Sequence, residues 1–255
     1  MIRRVGVALL SGLLILWIPL AQSRPVSDPS NPHNLSIGAT HGRTQANDGS
    51  QFGADEICIF CHTPHSATAL GPLWNRAEPD NMGSFPLYNS SSLKIKDIPA
   101  AQYNTTDYPN GASKLCLSCH DGVTGIGTLL DRTITMNRET MSDVPTSTTF
   151  DPVIDLELTH PVSFVFNDTV ETALLGKASI PTDPDLRDSQ ERVQCTSCHD
   201  PHDDRGEALY DSAGVPPFWR IISTDPANSY TDLCNKCHGT FGIPSGDHHT
   251  ADFPR

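Results

Sequence analysis

The stretch Cys58-Ile-Phe-Cys61-His62-Thr-Pro-His65 decides the architecture, because its first five residues recur in pattern three more times along the 255-residue chain. The other copies are Cys116-Leu-Ser-Cys119-His120, Cys195-Thr-Ser-Cys198-His199 and Cys234-Asn-Lys-Cys237-His238. These four Cys-x-x-Cys-His units contain all eight cysteines. Two thiols three positions apart lie on one side of a helical turn.

This spacing is the attachment motif of c-type haem. The two thiols reach the two vinyl groups of a porphyrin, and the histidine that follows lies beneath the iron as its proximal ligand. With 11 histidines in 255 residues, a histidine follows a given pair by chance with a probability of about 4%. Four matches in four predict four covalently bound haems. The predicted proximal ligands are His62, His120, His199 and His238.

Two other uses of paired cysteines compete with haem. Zinc ribbons separate their Cys-x-x-Cys pairs by about 15 to 20 residues, whereas 54, 75 and 35 residues separate successive pairs here. A disulfide framework suits an exported chain with an even number of cysteines. Neither alternative explains why a histidine follows every pair.

Seven histidines lie outside the motifs, and four irons need four sixth ligands. These histidines are His33, His41, His65, His160, His202, His248 and His249. Two of them close matched Cys-His-x-Pro-His segments, at His65 and His202. This internal repeat predicts two dihaem modules, residues 24–150 with an N-terminal arm and residues 151–255 with a C-terminal tail.

The sixth ligands are assigned by reach along the chain. Proline stiffens the turn after the proximal histidine, so His65 and His202 cannot bind the iron of their own motif. We therefore expect His65 to bind the second iron and His202 the fourth. His33 and His160, which precede the first motif of each half, are left for the first and third irons.

The remaining histidines are expected not to bind iron, although His41 is the reserve ligand if His33 is not one. His248 and His249 form a terminal pair that suits adventitious metal. Methionine ligation would raise the haem potential relative to histidine. The methionines available after export are Met82, Met136 and Met141. Histidine at every axial position is the simplest count, and it predicts low-spin haems that pass electrons.

An export signal is predicted at the N-terminus. Arg3 and Arg4 precede the apolar run 5–20, and Ala21-Gln22-Ser23 suits signal peptidase, so residues 1–23 are expected to be removed. An uncleaved membrane anchor is the alternative, although 16 apolar residues fall short of the roughly 20 that span a bilayer. No membrane span is predicted in the mature chain. We expect it outside the cell or at its surface, with the periplasm as the alternative.

The composition predicts a fold with little regular structure. Only 37% of the residues are hydrophobic, and 21 prolines and 18 glycines interrupt long helices and strands. Ordering each residue costs roughly 1 to 2 kcal/mol of backbone entropy, so a large cofactor must supply buried surface. We expect a mostly irregular, loop-rich fold with short helices and few strands around a haem core, and an unfolded apoprotein. A strand is predicted at 162–166, helical turns at 171–177, and haem packing at Trp74 and Trp219.

The charge balance limits the partners. Removing the signal takes away two of the 17 basic residues and none of the 30 acidic ones, which leaves a formal charge of −15. A scattered acidic surface without a basic run argues against nucleic acid and anionic membrane surfaces. It favours solubility or basic protein partners.

Three segments resemble the doubled Cys-x-x-Cys-His cytochromes of metal-respiring microbes. They are His33-Asn-Leu-Ser, residues 57–65 and Pro72-Leu-Trp-Asn-Arg76, supported in the second half by Cys-His-x-Pro-His and His-Pro-Val-Ser-Phe. The likeness is to tetrahaem extracellular cytochromes whose subunits stack end to end into filaments. It implies bis-histidine haems in alternating stacked and T-shaped pairs, with one ligand from the neighbouring subunit. We expect that ligand to be His33, because it lies on a proline-rich arm.

Two alternatives to a homo-polymeric electron conduit stay open. A monomeric periplasmic or surface shuttle would use the same haems to carry electrons between redox partner proteins. A multihaem reductase of a nitrogen or sulfur oxyanion would need an open iron. We expect an electron-transfer protein rather than an enzyme, one that delivers electrons to redox partners or extracellular acceptors.

Overall fold

Most of the chain runs as turns and extended segments between short helices in the computed structural model of the protein. The structure describes residues 23–79, 82–89, 94–144, 153–205 and 215–239. The predicted signal segment up to residue 22 and the terminal pair His248 and His249 lie outside these ranges. The predicted loop-rich fold, with short helices and few strands, is confirmed.

The described ranges contain four α-helices. They are α1 (Gly111–His120), α2 (Asp168–Ala173), α3 (Cys195–Cys198) and α4 (Ser229–His238). The longest have only ten residues. Among the described residues, no helix has both the length and the apolar character that a membrane crossing requires.

A single strand pair lies at the start of the second half of the described chain. Strand β1 (Phe164–Val165) lies inside the predicted strand 162–166. It pairs antiparallel with β2 (Arg192–Val193). The predicted helical turns at 171–177 begin earlier, as α2, because the Asn167 side chain accepts a hydrogen bond from Val170 N at 3.2 Å. This N-cap satisfies one of the free amides of the first turn.

Buried apolar side chains form three small clusters rather than one core. The largest cluster contains residues from both predicted modules. One smaller cluster lies within the first module, and the other lies within the second module. Representative members are Leu117, Phe164 and Val170 in the shared cluster, Phe60, Ile126 and Ile134 in the next, and Trp219 and Leu233 in the last. The two predicted modules therefore share the largest cluster, and each also buries a smaller cluster of its own.

A buried polar network joins the modules where α1 packs on α3. Gln194, which is 1% exposed, accepts hydrogen bonds at Oε1 from Ser113 Oγ at 2.6 Å and Ser163 Oγ at 3.1 Å. Its amide nitrogen donates to Asp188 Oδ2 at 2.8 Å. The Cys195 amide donates to the same Ser113 hydroxyl at 3.0 Å. Because buried polar groups are costly unless they are satisfied, this network fixes α1 and α3, and thus two of the cysteine motifs, against each other.

Candidate functional site

Each Cys-x-x-Cys-His motif lies on a short helix or helical turn. The first occupies a 3-10 turn, Cys58–Phe60, and the third coincides with α3. The second and fourth form the last turns of α1 and α4, which end at His120 and His238. All eight cysteines are free thiols.

The four motifs follow one another in space in the order in which they occur in the chain. Cys61 of the first motif lies within electrostatic range of Cys119 of the second. Cys116 of the second motif hydrogen-bonds to Cys195 of the third. The third motif in turn adjoins the fourth. Burial raises the pKa of Cys198 most, and the nearby thiols Cys234 and Cys237 of the fourth motif raise it further. Successive motifs thus adjoin one another, and we call this succession, from first motif to fourth, the thiol row.

Three motif histidines each face one histidine from outside the motifs. The ring centroids of His62 and His202 lie 6.2 Å apart, those of His33 and His120 6.0 Å, and those of His160 and His238 6.3 Å. No group of three or more His, Cys, Asp or Glu side chains arranged to hold a metal ion is found in the described ranges. These histidines therefore meet in pairs.

This separation fits two axial ligands on opposite faces of one iron. With metal–imidazole bonds of about 2.0 to 2.1 Å and a centroid about one ångström behind each nitrogen, the two centroids lie roughly 6 Å apart. Direct contact between two rings would bring the centroids closer, to about 4.5 Å at the near end of the usual range. The residues present thus match the donor set of a bis-histidine haem, with two thiols beside each pair.

Hydrogen bonds to backbone carbonyls fix the protonation of several of these rings. Nδ1 of His33 donates to Pro201 O at 2.9 Å, and Nδ1 of His160 donates to Pro161 O at 2.8 Å. Two motif histidines are held in the same way. They are His199, bonded to Pro217 O at 2.9 Å, and His238, bonded to Lys177 O at 2.8 Å. A carbonyl oxygen only accepts, so Nδ1 carries the proton and Nε2 keeps the lone pair that a metal binds.

Burial keeps two of these histidines neutral. Desolvation, followed by the positive charge of a protonated His120, lowers the pKa of His33 to about 4. Desolvation also lowers the pKa of His199. The unprotonated imidazole is the form that binds metal, so both rings are in the binding form at neutral pH.

The observed pairs differ from the predicted pairs. We expected His33 opposite His62 and His202 opposite His238, but His33 lies opposite His120 and His202 opposite His62. The reason is the path of the N-terminal arm, which runs across the second half, where the Val26 amide donates to His202 O at 2.7 Å. The arm therefore carries His33 past the first motif.

The predictions for His65 and His160 also change. His160 was expected opposite His199 but lies opposite His238. His65, expected opposite His120, is exposed, and its ring makes no hydrogen bond or ring contact with any described residue. His199 is likewise the one proximal histidine that no other described histidine faces at this distance.

His41 is held by its own loop. Its Nε2 contacts Asn34 O at 2.9 Å, and its Nδ1 accepts from the Arg43 amide at 3.2 Å. Both ring nitrogens are therefore engaged within the loop. Met136 is 2% exposed and packs in the apolar cluster of the first module.

A local structural repeat surrounds the first and third proximal histidines. Trp74 packs edge-on against His62 at 5.7 Å, and Trp219 packs edge-on against His199 at 5.5 Å. Each tryptophan also forms an isolated β-bridge with its histidine. The residue before each tryptophan, Leu73 or Phe218, has φ of +57°.

The sequence carries a signal for this repeat that the Cys-His-x-Pro-His match alone misses. Pro72-Leu-Trp74 and Pro217-Phe-Trp219 share a Pro-x-Trp pattern after their motifs. The intervening loops differ in length, which hides the correspondence from a fixed-period comparison. We predicted only packing for the tryptophans, and the structure places them against the proximal rings.

The comparisons with known proteins add no family. No protein-family model matches the chain, and no curated protein matches it.

Proposed function

We propose that the protein is a tetrahaem c-type cytochrome that carries electrons along a row of four haems. The observation that carries the proposal is the set of three histidine pairs with centroids 6.0 to 6.3 Å apart, each beside a pair of thiols. Covalent haem would be held by all eight cysteines. They are Cys58 and Cys61, Cys116 and Cys119, Cys195 and Cys198, and Cys234 and Cys237.

The ring pairs support a revised ligand assignment. We assign His202 to the first iron, opposite His62, and His33 to the second, opposite His120. His160 is assigned to the fourth iron, opposite His238. Two histidines on each iron leave no site for substrate, which suits electron transfer and not catalysis.

The third iron, beneath His199, is completed by His65 of a second copy of the chain. His202 lies three residues after His199 and faces His62; His65 lies three residues after His62 in the same Cys-His-x-Pro-His context. By the symmetry of the repeat, His65 should face a His199 as His202 faces His62. No ring contact joins His65 and His199 within the described part of one chain. A neighbouring copy satisfies both residues with one coordination bond.

This contact implies head-to-tail assembly. The first motif lies at one end of the thiol row and the fourth at the other, so a ligand from beside the first motif reaches back to the third iron of the next copy. The fourth haem of one subunit then adjoins the first haem of its neighbour. The result is a homo-polymer with a continuous haem row, exported to the cell surface or beyond, where redox partners or extracellular acceptors exchange electrons with it.

Two other outcomes depend on the same iron. If His248 or His249 completes it from the C-terminal tail, the protein is a monomeric shuttle. If the iron stays open, a reductase of small oxyanions becomes the better function. Both candidates start from the same observation, that no ring contact joins His65 and His199 within the described part of one chain.

Intact mass and spectroscopy of the exported protein test the proposal. The mature chain should be heavier by four haem units and contain no zinc, and all haems should be low-spin. Electron micrographs should show filaments. A high-spin signal equal to about a quarter of the haem would favour the reductase, whereas single particles with four low-spin haems would favour the shuttle.

A further inference from the structure

The N-terminal arm is clamped to the loop that follows the third motif. Pro25 forms an antiparallel bridge with Asp203, and the Val26 amide donates to His202 O at 2.7 Å. Asn31, which is completely buried, donates from its side chain to Arg24 O at 2.6 Å. The arm thus adds a short extended segment beside His202.

Asp204 is the anchor of this clamp. Its side chain is completely buried, and Oδ2 accepts from Arg24 Nη2 at 2.5 Å. Oδ1 accepts from the Phe218 amide at 2.9 Å, and the Asp204 amide donates to Arg24 O at 3.0 Å. A buried carboxylate is stable only when it is paired and hydrogen-bonded, and here Arg24 and Phe218 satisfy it.

Each of the two residues that Asp204 binds, Phe218 and Arg24, is linked to a histidine. Phe218 stacks on the His33 ring with centroids 4.2 Å apart and planes within 19°. Arg24 begins the arm segment that hydrogen-bonds to the backbone of His202. The same carboxylate therefore supports His33, which faces His120, and His202, which faces His62.

We propose that Arg24 and Asp204 are a positioning pair that holds the sixth ligands of the first and second irons. The inference rests on the proposed function. It predicts that these two irons lose ligation together, although neither Arg24 nor Asp204 is itself a ligand. The fourth iron, between His160 and His238, lies at the far end of the thiol row from the first motif and should not respond.

The test compares the exported holoprotein with the variants Asp204→Asn and Arg24→Gln. The amide in Asp204→Asn would keep an oxygen for the Phe218 amide but lose the charge that holds Arg24. We expect two of the four irons to become high-spin and to bind carbon monoxide, as measured by electron paramagnetic resonance and absorption spectra. The conservative variant Arg24→Lys, which keeps the positive charge, should retain most of the low-spin signal. Arg132→Gln, which removes an exposed pair with Asp131, is the matched control and should leave all irons unchanged.

The outcomes separate this inference from the proposed function. Wild-type protein without covalent haem would overturn both. Four haems in the wild type, with Asp204→Asn and Arg24→Gln spectra unchanged, would overturn the positioning role alone, and so would opening of a single iron. Retention of the low-spin fourth haem shows that a variant has folded. If Asp204→Asn does not accumulate, Arg24→Gln, which keeps the buried carboxylate, decides the question in the same way.

Discussion

His62 and His202 are 140 residues apart in sequence, and their imidazole rings lie 6.2 Å apart with planes within 15° of parallel. Each belongs to a Cys-His-x-Pro-His segment, but His62 is the first histidine of its segment and His202 is the second. A histidine of the second half therefore faces a motif histidine of the first half. This pair brings the loop after the third motif to the first motif.

Replacing His202 should open the first iron only. His202→Ala removes one axial ligand, so about a quarter of the haem should become high-spin while the covalent haem count stays at four. Absorption and electron paramagnetic resonance spectra measure the fraction. His41→Ala is the matched control, because both nitrogens of His41 are engaged within its loop, and it should leave the spectrum unchanged. A low-spin spectrum in His202→Ala would remove His202 from the ligand set.

Replacing His65 should affect assembly and one iron together. In His65→Ala, the third iron loses its ligand in every copy, so filaments should disappear and about a quarter of the haem should become high-spin. Micrographs and spectra of the same preparation check both effects. The double variant His248→Ala with His249→Ala is the comparison and should form normal filaments. The reverse pattern, an open iron only in the double variant, would establish the monomeric shuttle.

Arg76 should be a major stabilising residue. It is 1% exposed, and its guanidinium donates to three backbone carbonyls, those of Ser118 at 3.1 Å, Ile126 at 2.7 Å and Gly125 at 2.6 Å. Arg76→Met would remove the donor of the Ser118 and Ile126 carbonyls, whereas Gly125 O would keep the Thr128 amide at 3.1 Å. Each buried unsatisfied group costs about 1 to 3 kcal/mol. We expect the free energy of unfolding in denaturant to fall by about 3 kcal/mol or more. Arg138→Met, at an exposed arginine, should change it by less than about 0.5 kcal/mol.

The same substitution should also change the reduction potentials. The side chain of Arg76 carries a positive charge near Cys61 and Cys119, the thiols of the first and second motifs. A buried cation favours the reduced haem, which has one more negative charge, so its removal should lower the potentials of these haems. A spectroelectrochemical titration of Arg76→Met measures the shift. Unchanged potentials would show that the guanidinium is screened from both haems.

Gly111 should be intolerant of any side chain. It begins α1 with φ of +56°, and a Cβ there would approach Gln194 Nε2 to 2.5 Å. Gly42 has φ of +75°, and a Cβ added there would meet nothing within 4 Å, so Gly42→Ala measures the backbone strain alone, roughly 1 kcal/mol. Gly111→Ala should cost more, because it also disturbs the network between α1 and α3. Equal losses in thermal or denaturant unfolding would contradict that role of Gln194.

The irregular fold and the short strand Phe164–Val165, inside the predicted range 162–166, could be predicted from sequence, because composition and local alternation decide them. The four motifs could be located for the same reason, since their spacing is local. The histidine pairs could not be predicted. His33 faces His120 because the arm crosses to Pro201 and Val26 pairs with His202, and such tertiary contacts leave no periodic trace in the sequence. Likewise, the Pro-x-Trp repeat is separated from its motifs by loops of unequal length.

The pairing across the halves would also set an order of completion during export, if the four motifs carry haem as proposed. His33 and His120 would both be outside once 120 residues have crossed, but the residues that hold His33, Pro201 and Phe218, emerge only with the second half. The first haem, although its cysteines would emerge earliest, must likewise wait for His202. A chain interrupted between the halves would therefore hold two haems whose sixth ligands are absent or unsupported. The boundary between the halves is consequently a poor place to divide the protein, and a fragment that ends near residue 150 should be the species most prone to binding stray ligands.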